Sequence, residues 1–325
     1  MQKKIFVKSY DSLLEEYLNN VKTGRVHSVF KSAINIELCD GSAELRVRPA
    51  EAPPTPRPSW KVSTPCLSGE VSAPRPSGEV SAPRPSCMIS IINSKYNQPG
   101  AVLVDISSTN GFPEFGITSG ETVKINFPEI STGDVRFVAG GYAWREKFKR
   151  EKVTRPVKQL FSSRSCWSTD DTWGIMSKAK ARGLNDLYTL AEEIIGLGDG
   201  LTPAGDDFLV GLLNSIYYRY KIRGMKKLKP AWDKLSNAVR QVKHRTNAIS
   251  ESFIDYSLAG RFSERAVNLL NFPAAELAEG NFSLLGLHSD GLQDTGSSIF
   301  EQFRGWGHNS GFYVLSGLIS GLILP

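Results

Sequence analysis

The sequence predicts an α+β protein, with a β-rich N-terminal sheet or small barrel followed by an all-helical C-terminal domain. Two observations carry this. Within residues 1–145, short β-branched runs bounded by Gly, Asp, Asn or Pro follow one another. From about Arg164 apolar residues instead recur at three- and four-residue spacing, so 146–325 reads as a helical domain. The 325 residues are 40 % hydrophobic and 22 % charged, enough apolar material for a real core.

A short amphipathic helix is expected around residues 12–19. Strands then follow at RVHSVF (25–30), AINIEL (33–38), AELRV (43–47), CMISII (87–92), AVLVDI (101–106), TVKINF (122–127) and VRFVAG (135–140). Short strands with turn residues between them suit an antiparallel sheet or small barrel. Residues 49–86 interrupt the series. They are rich in Pro, Ser and Glu and repeat SGEVSAPRP at 68–76 and 77–85. With no apolar face to bury, this segment is expected to be a disordered or polyproline-like insertion in a surface loop. Helices are read at TWGIMSKAKAR, NDLYTLAEEIIG, DDFLVGLLNSIYYRY, AWDKLSNAVRQV, ISESFIDYSLAG, SERAVNLLNF and GFYVLSGLISGLIL. Asn247 and Ser263 stand where N-caps belong, and Gly196 and Gly260 follow helical ends.

Composition excludes several classes. The formal charge is +6, from 39 basic and 33 acidic residues. Two basic clusters, one running from Arg145 to Lys158 and one from Lys221 to Lys229, sit in no recognisable nucleic-acid module, so a solvated surface is read rather than a nucleic-acid site. Cys39, Cys66, Cys87 and Cys166 lack zinc spacing and make a weak disulfide framework. No apolar signal core opens the chain, and the run Phe312 to Leu324 is too short to span a bilayer. A cytoplasmic location is expected, with no membrane partner.

Chemistry concentrates in GLGDGLTPAGDD (196–207), between two helices. Its glycines let a ligand approach the backbone, and the following helix N-terminus offers unpaired N–H groups to an anion. Without a Lys it is not a Walker loop. Asp206 and Asp207 would repel a bare anion; they suit a Mg²⁺ bridging to phosphate, or acceptors for an amide, and the plain alternative is that both serve the helix dipole. No metal-ligand set and no other cofactor is read. A second loop, GWGHNSG (305–311), also precedes an apolar helix with internal glycines. Gly211 in one helix and Gly317 and Gly321 in the other imply close packing with the two loops side by side, and His308 is read either as the imidazole of the pocket between them or as a loop histidine bonding backbone. His27 and Ser28 should point to opposite faces of their strand, His27 as a structural residue. Arg245 and Arg261 bracket a helix and are anion-gripping candidates or surface features.

These blocks together resemble a bacterial family long filed as a domain of unknown function, one branch of which is the AllH-type subunit of oxamate carbamoyltransferase. They are GRVHSVF with AINIEL, GLGDGLTPAGDDFLVGLL, RTNAISESFIDYSLAGRFSE and GHNSGFYVLSGLISGL, and the resemblance covers most of the chain outside 49–86. Asp199 stands where the family loop often has Pro, and Tyr313 where the second helix often begins with Asp. The resemblance implies carbamoyl transfer between oxamate or oxalurate and phosphate in allantoin degradation. The partners would then be a small anion (phosphate, carbamoyl phosphate or oxamate) and other protein subunits. Asp206, Asp207 and His308 are the catalytic candidates. Gly198, Gly200, Thr202, Gly205, Ser310, Gly311 and Arg261 are the substrate- and phosphate-binding candidates. The competing expectation is a non-catalytic ligand-binding or assembly subunit whose glycine loops only pack helices.

Overall fold

The computed structural model describes residues 3–39, 88–106, 110–149, 186–271, 299–307 and 309–323. The expected strand at 43–47, the insertion at 49–86, the helix TWGIMSKAKAR and His308 lie outside the described residues.

Eight strands close into a barrel: β1 (Lys3–Asp11), β2 (Thr23–Val29), β3 (Ala33–Leu38), β4 (Met88–Asn93), β5 (Ala101–Val104), β6 (Thr122–Asn126), β7 (Glu129–Thr132) and β8 (Val135–Trp144). Their order around the barrel is β1-β5-β4-β3-β2-β6-β7-β8. β1 runs parallel to β8, and β4 parallel to β5; the other pairs are antiparallel. Period-2 alternation fills the interior: Ile5 and Val7, Ile34 and Ile36, Ile89 and Ile91, Val123 and Ile125, with Phe112 and Phe137, form one apolar cluster. β1 was not among the expected strands. Its sequence KKIFVKSYD gives only two aliphatic residues to the barrel, and the pairing that closes it is with a strand over 100 residues away. β2 also departs from plain alternation. A register shift between Val26 and Ser28 leaves His27 exposed, with its Nδ1 3.2 Å from the Ser28 hydroxyl.

α1 (Ser12–Leu18) follows β1 and is capped by Asp11, which accepts from Leu13 N at 3.1 Å. The C-terminal half holds α2 (Leu187–Ile194), α3 (Ala204–Tyr217), α4 (Lys229–Val242), α5 (Ala248–Leu258), α6 (Glu264–Leu270), α7 (Ile299–Arg304) and α8 (Ser310–Ile323). Asn247 caps α5 by accepting from Ile249 N and Ser250 N, and Ser263 caps α6 through Ala266 N. Gly196 and Gly260 take the positive φ expected just past a helix.

α3 and α8 lie against each other, running the same way. A Cβ on Gly211 would fall 2.0 Å from the Val314 carbonyl oxygen, one on Gly317 2.0 Å from that of Phe208, and one on Gly321 1.8 Å from the Ser215 hydroxyl. Only hydrogen side chains allow this approach, so the internal glycines are notches for helix contact. The same contact sets their N-terminal loops side by side. α3 is almost wholly buried, which explains why its sequence reads as apolar all round rather than amphipathic.

The helices seat on the outer face of β3–β5. Tyr256 of α5 donates to the Met88 carbonyl at 3.0 Å, and Gly100, at φ +67°, leaves room for that ring. Glu264 accepts from both the backbone N and the side-chain amide of Asn97 at 2.8 Å.

Candidate functional site

A cavity of about 640 Å³ lies between the barrel and the helices. One wall is the outward face of β3 and β4, where Ala33, Asn35, Ser90 and Ile92 alternate with the inward isoleucines. Asn35 and Ser90 are cross-strand partners; Ser90 donates to Asn35 Oδ1 at 2.7 Å, and Asn35 donates to Ser28 Oγ at 3.0 Å. The other walls come from α3, α5, α6 and α8 with the two glycine-rich loops.

At the loop end, three side chains form a closed triangle. Thr202 donates to Asp207 Oδ2 at 3.0 Å, and its hydroxyl lies 2.8 Å from that of Ser310. Ser310 also bonds to Asp207. The triangle joins the two loops, as their sequence likeness implied. Burial pushes the Asp207 carboxyl well above the usual carboxylate range; the Ser310 and Thr202 hydroxyls oppose this, and the neighbouring Asp206 charge adds to it. Burial thus disfavours the charged form of Asp207, which lessens the repulsion of an anion expected from two adjacent carboxylates.

Asp206 is held differently. It accepts from Gly196 N at 2.7 Å and from the Thr246 hydroxyl, so it clamps the end of α2 and the start of α5 to α3. It is 1 % exposed and does not line the cavity, whereas Asp207 does. Burial raises its carboxyl too, with the Gly196 amide and the Thr246 and Ser250 hydroxyls opposing. Among the described residues no group of three His, Cys, Asp or Glu side chains is placed to hold a metal ion.

The glycines divide by role. Gly198 and Gly200, both near φ +106°, line the cavity and give the loop its course. Gly205 and Gly311 serve packing instead: a Cβ would meet the Ile194 carbonyl oxygen at 1.7 Å and that of Phe303 at 1.8 Å. The expected cradle of free helix amides is already occupied by backbone. Gly205 N donates to Leu197 O, Asp206 N and Asp207 N to Pro203 O, Gly311 N to Trp306 O, and Phe312 N and Tyr313 N to Asn309 O.

Arg261 lines the cavity, but its guanidinium is engaged. It reaches Asp11 at 2.5 Å and Glu146 at 2.8 Å, tying the helices to the barrel. Burial raises the Glu146 carboxyl and Arg261 opposes it. Arg245 is half-exposed, 3.7 Å from Glu192. His308 lies outside the described residues; its neighbours Gly307 and Asn309 line the cavity.

Among the described residues that line the cavity there is also a cation that the sequence reading passed over. Arg265, on α6, is 4 % exposed. Its Nε donates to the Gln302 carbonyl at 2.7 Å, and Nη2 lies 3.5 Å from Ser94 Oγ. Its plane sits against Tyr96 and Trp306, 4.5 and 5.1 Å from the ring centroids. Nη1 is buried with no hydrogen-bond acceptor among the described residues. Burial pushes the guanidinium down to about 10, which still leaves it charged at neutral pH. A sequence signal existed: an arginine in the first turn of a helix opposes the macrodipole and needs another reason to be there.

Comparison with known proteins bears on the helical region. Residues 194–322 match the family model described as oxamate carbamoyltransferase subunit AllH. The helical region is AllH-like. This match is narrower than the resemblance read from the sequence, because the barrel lies outside it. No curated protein and no solved structure gives a significant match. The AllH-like stretch holds Thr202, Asp207, Ser310, Arg261 and Arg265, while Asn35 and Ser90 on the barrel wall fall outside it. No helix among the described residues is long and apolar enough to cross a membrane.

Proposed function

We propose that the chain is a subunit of an oxamate carbamoyltransferase-type enzyme that works with other subunits, and that its cavity holds the carboxylate of oxamate or oxalurate. The observation that carries this is Arg265, a buried guanidinium lining the cavity with Nη1 lacking an acceptor. A buried cation without a full set of partners is costly unless an anion completes it. A planar carboxylate matches its fork.

In the reaction the family name points to, a phosphate oxygen attacks the carbamoyl carbon of oxalurate. The carbon–nitrogen bond breaks, the departing nitrogen gains a proton, and oxamate and carbamoyl phosphate result. Arg265 would hold the carboxylate end. Asp207, whose charged form burial disfavours, would lie with Thr202 and Ser310 against the carbamoyl group and hydrogen-bond to it. His308, between two cavity-lining residues, is the candidate source of the proton for the departing nitrogen. Arg261, held by two carboxylates, orders the cavity wall rather than binding substrate. The phosphate site itself would be completed with other subunits.

Titration calorimetry on the full chain tests this reading. Oxamate should bind the wild type and bind Arg265→Met at least about tenfold more weakly, as expected for losing a charge-assisted contact. Equal affinity of the two would overturn it.

A further inference from the structure

Arg265 is held by groups from three separate elements. Glu264 beside it accepts twice from Asn97 at 2.8 Å, which fixes the start of α6 against the turn after β4. That turn carries Tyr96, whose ring centroid is 4.5 Å from Arg265 Cζ, and Ser94, whose hydroxyl is 3.5 Å from Nη2. α7 gives the Gln302 carbonyl to Nε, and Asn268 donates to the Gln302 side chain at 2.9 Å. The third element is the loop GWGHNSG, which brings the Trp306 ring to 5.1 Å from Cζ.

Local bonds set the place of that ring. Trp306 N donates to Phe303 O and Gly311 N donates to Trp306 O, both at 3.0 Å, so the loop folds back onto the start of α8. A Cβ on Gly311 would fall 3.1 Å from Trp306 Cβ, a close approach that glycine permits. The indole packs on Phe303, yet it is only partly buried and lines the cavity. Four residues on, the same loop supplies Ser310 to the triangle with Thr202 and Asp207.

A guanidinium taken out of water loses the solvent that stabilised it. Aromatic faces replace part of that through their negative quadrupole, and they do so without accepting an N–H bond. Carboxylates, such as those that hold Arg261, stabilise the cation but take up its donors. Arg265 has rings instead, and its Nη1 has no acceptor among the described residues.

We propose that Trp306 is a positioning residue for Arg265. Its ring fixes the guanidinium without engaging an N–H, so Nη1 stays available to the carboxylate of the ligand. This rests on the reading above that Arg265 holds the carboxylate of oxamate or oxalurate. A cation already fixed in place needs less ordering when its anion arrives, and so binds it more tightly.

Calorimetry and tryptophan emission on the full chain, with oxamate as the probe, test this. Trp306→Leu stays apolar but has no ring, and should bind oxamate at least about tenfold more weakly than wild type; Trp306→Phe keeps a ring face and should stay within about threefold. Wild-type emission should change as oxamate binds, because an anion then neutralises the charge against the indole. Trp306→Phe should bind oxamate without that change, and this pair of measurements decides the matter if Trp306→Leu does not fold. Equal affinity of Trp306→Leu and wild type, an equal loss in both variants, or an emission change that is absent from wild type or persists in Trp306→Phe overturns the positioning inference and leaves the carboxylate reading intact. A wild type that binds no oxamate overturns both.

Discussion

Arg261 donates from Nη2 to Asp11 Oδ1 at 2.5 Å, joining the end of the first strand to a turn 250 residues later. Asp11 is 1 % exposed and serves two other groups. It caps α1 at Leu13 N, and its Oδ2 accepts from Gly100 N at 2.7 Å. Glu146 completes the arrangement from the residues following β8. One buried guanidinium therefore holds the barrel seam against the helices, and with it the shape of the cavity between them.

Arg261→Met leaves Asp11 and Glu146 buried without their cation. Breaking a buried pair from one side costs about 3–5 kcal/mol. Urea unfolding should show a loss of that size. A loss below about 1 kcal/mol, the range of exposed ion pairs, would mean that the pair contributes little to seating the helices.

Gly317→Ala should destabilise by about 1–3 kcal/mol, because its Cβ would sit 2.0 Å from the Phe208 carbonyl oxygen and force α3 and α8 apart. Gly140→Ala, with open space around its Cβ, should change stability by less than about 0.5 kcal/mol. Thermal melts of the two variants side by side check the contrast.

Asp207 has a raised carboxyl in the folded chain, so the fold binds its proton more tightly than the unfolded chain does. Its contribution is fully present below the unfolded value of about 4 and is lost as pH rises through the higher folded value. Asp207→Asn should therefore lack this fall. The difference in melting temperature between variant and wild type should grow in the variant's favour as pH rises from about 4. A constant difference across that range would show that Asp207 is not held neutral.

Arg265 carries its charge at a cost to the fold, since burial lowers its guanidinium to about 10. Removing that charge with Arg265→Met should not reduce stability in urea, even as oxamate binding weakens. A large stability loss would recast Arg265 as a structural residue like Arg261.

Much of this was legible in the chain. Alternating β-branched runs gave five of the barrel strands close to their observed bounds, because an inward-facing strand must alternate. The caps at Asn247 and Ser263 and the glycines past the helix ends were readable because each satisfies a local backbone need. The paired loops were readable too, since Gly211, Gly317 and Gly321 imply a close helix contact that sets Thr202 beside Ser310.

The roles of adjacent or similar residues were not legible. Asp206 and Asp207 are neighbours in sequence, but about 100° of helix turn separates their directions. One meets Gly196 and Thr246, and the other meets Thr202, Ser310 and the cavity. Arg261 and Arg265 lie one helical turn apart in sequence; two carboxylates from the barrel side take up the first and leave the second incomplete.

The sequence by itself determined the α+β division, the helix starts at Asn247 and Ser263, the stops at Gly196 and Gly260, and the glycine contact that pairs α3 with α8, because each depends on residues within a few positions or on a periodicity. Only the tertiary structure decided that β1 closes the barrel against β8, that the barrel's outer face walls a cavity, and which arginine and which aspartate face it. Those outcomes depend on partners far apart in the chain, and burial, not residue type, sets which charge is satisfied and which stays available.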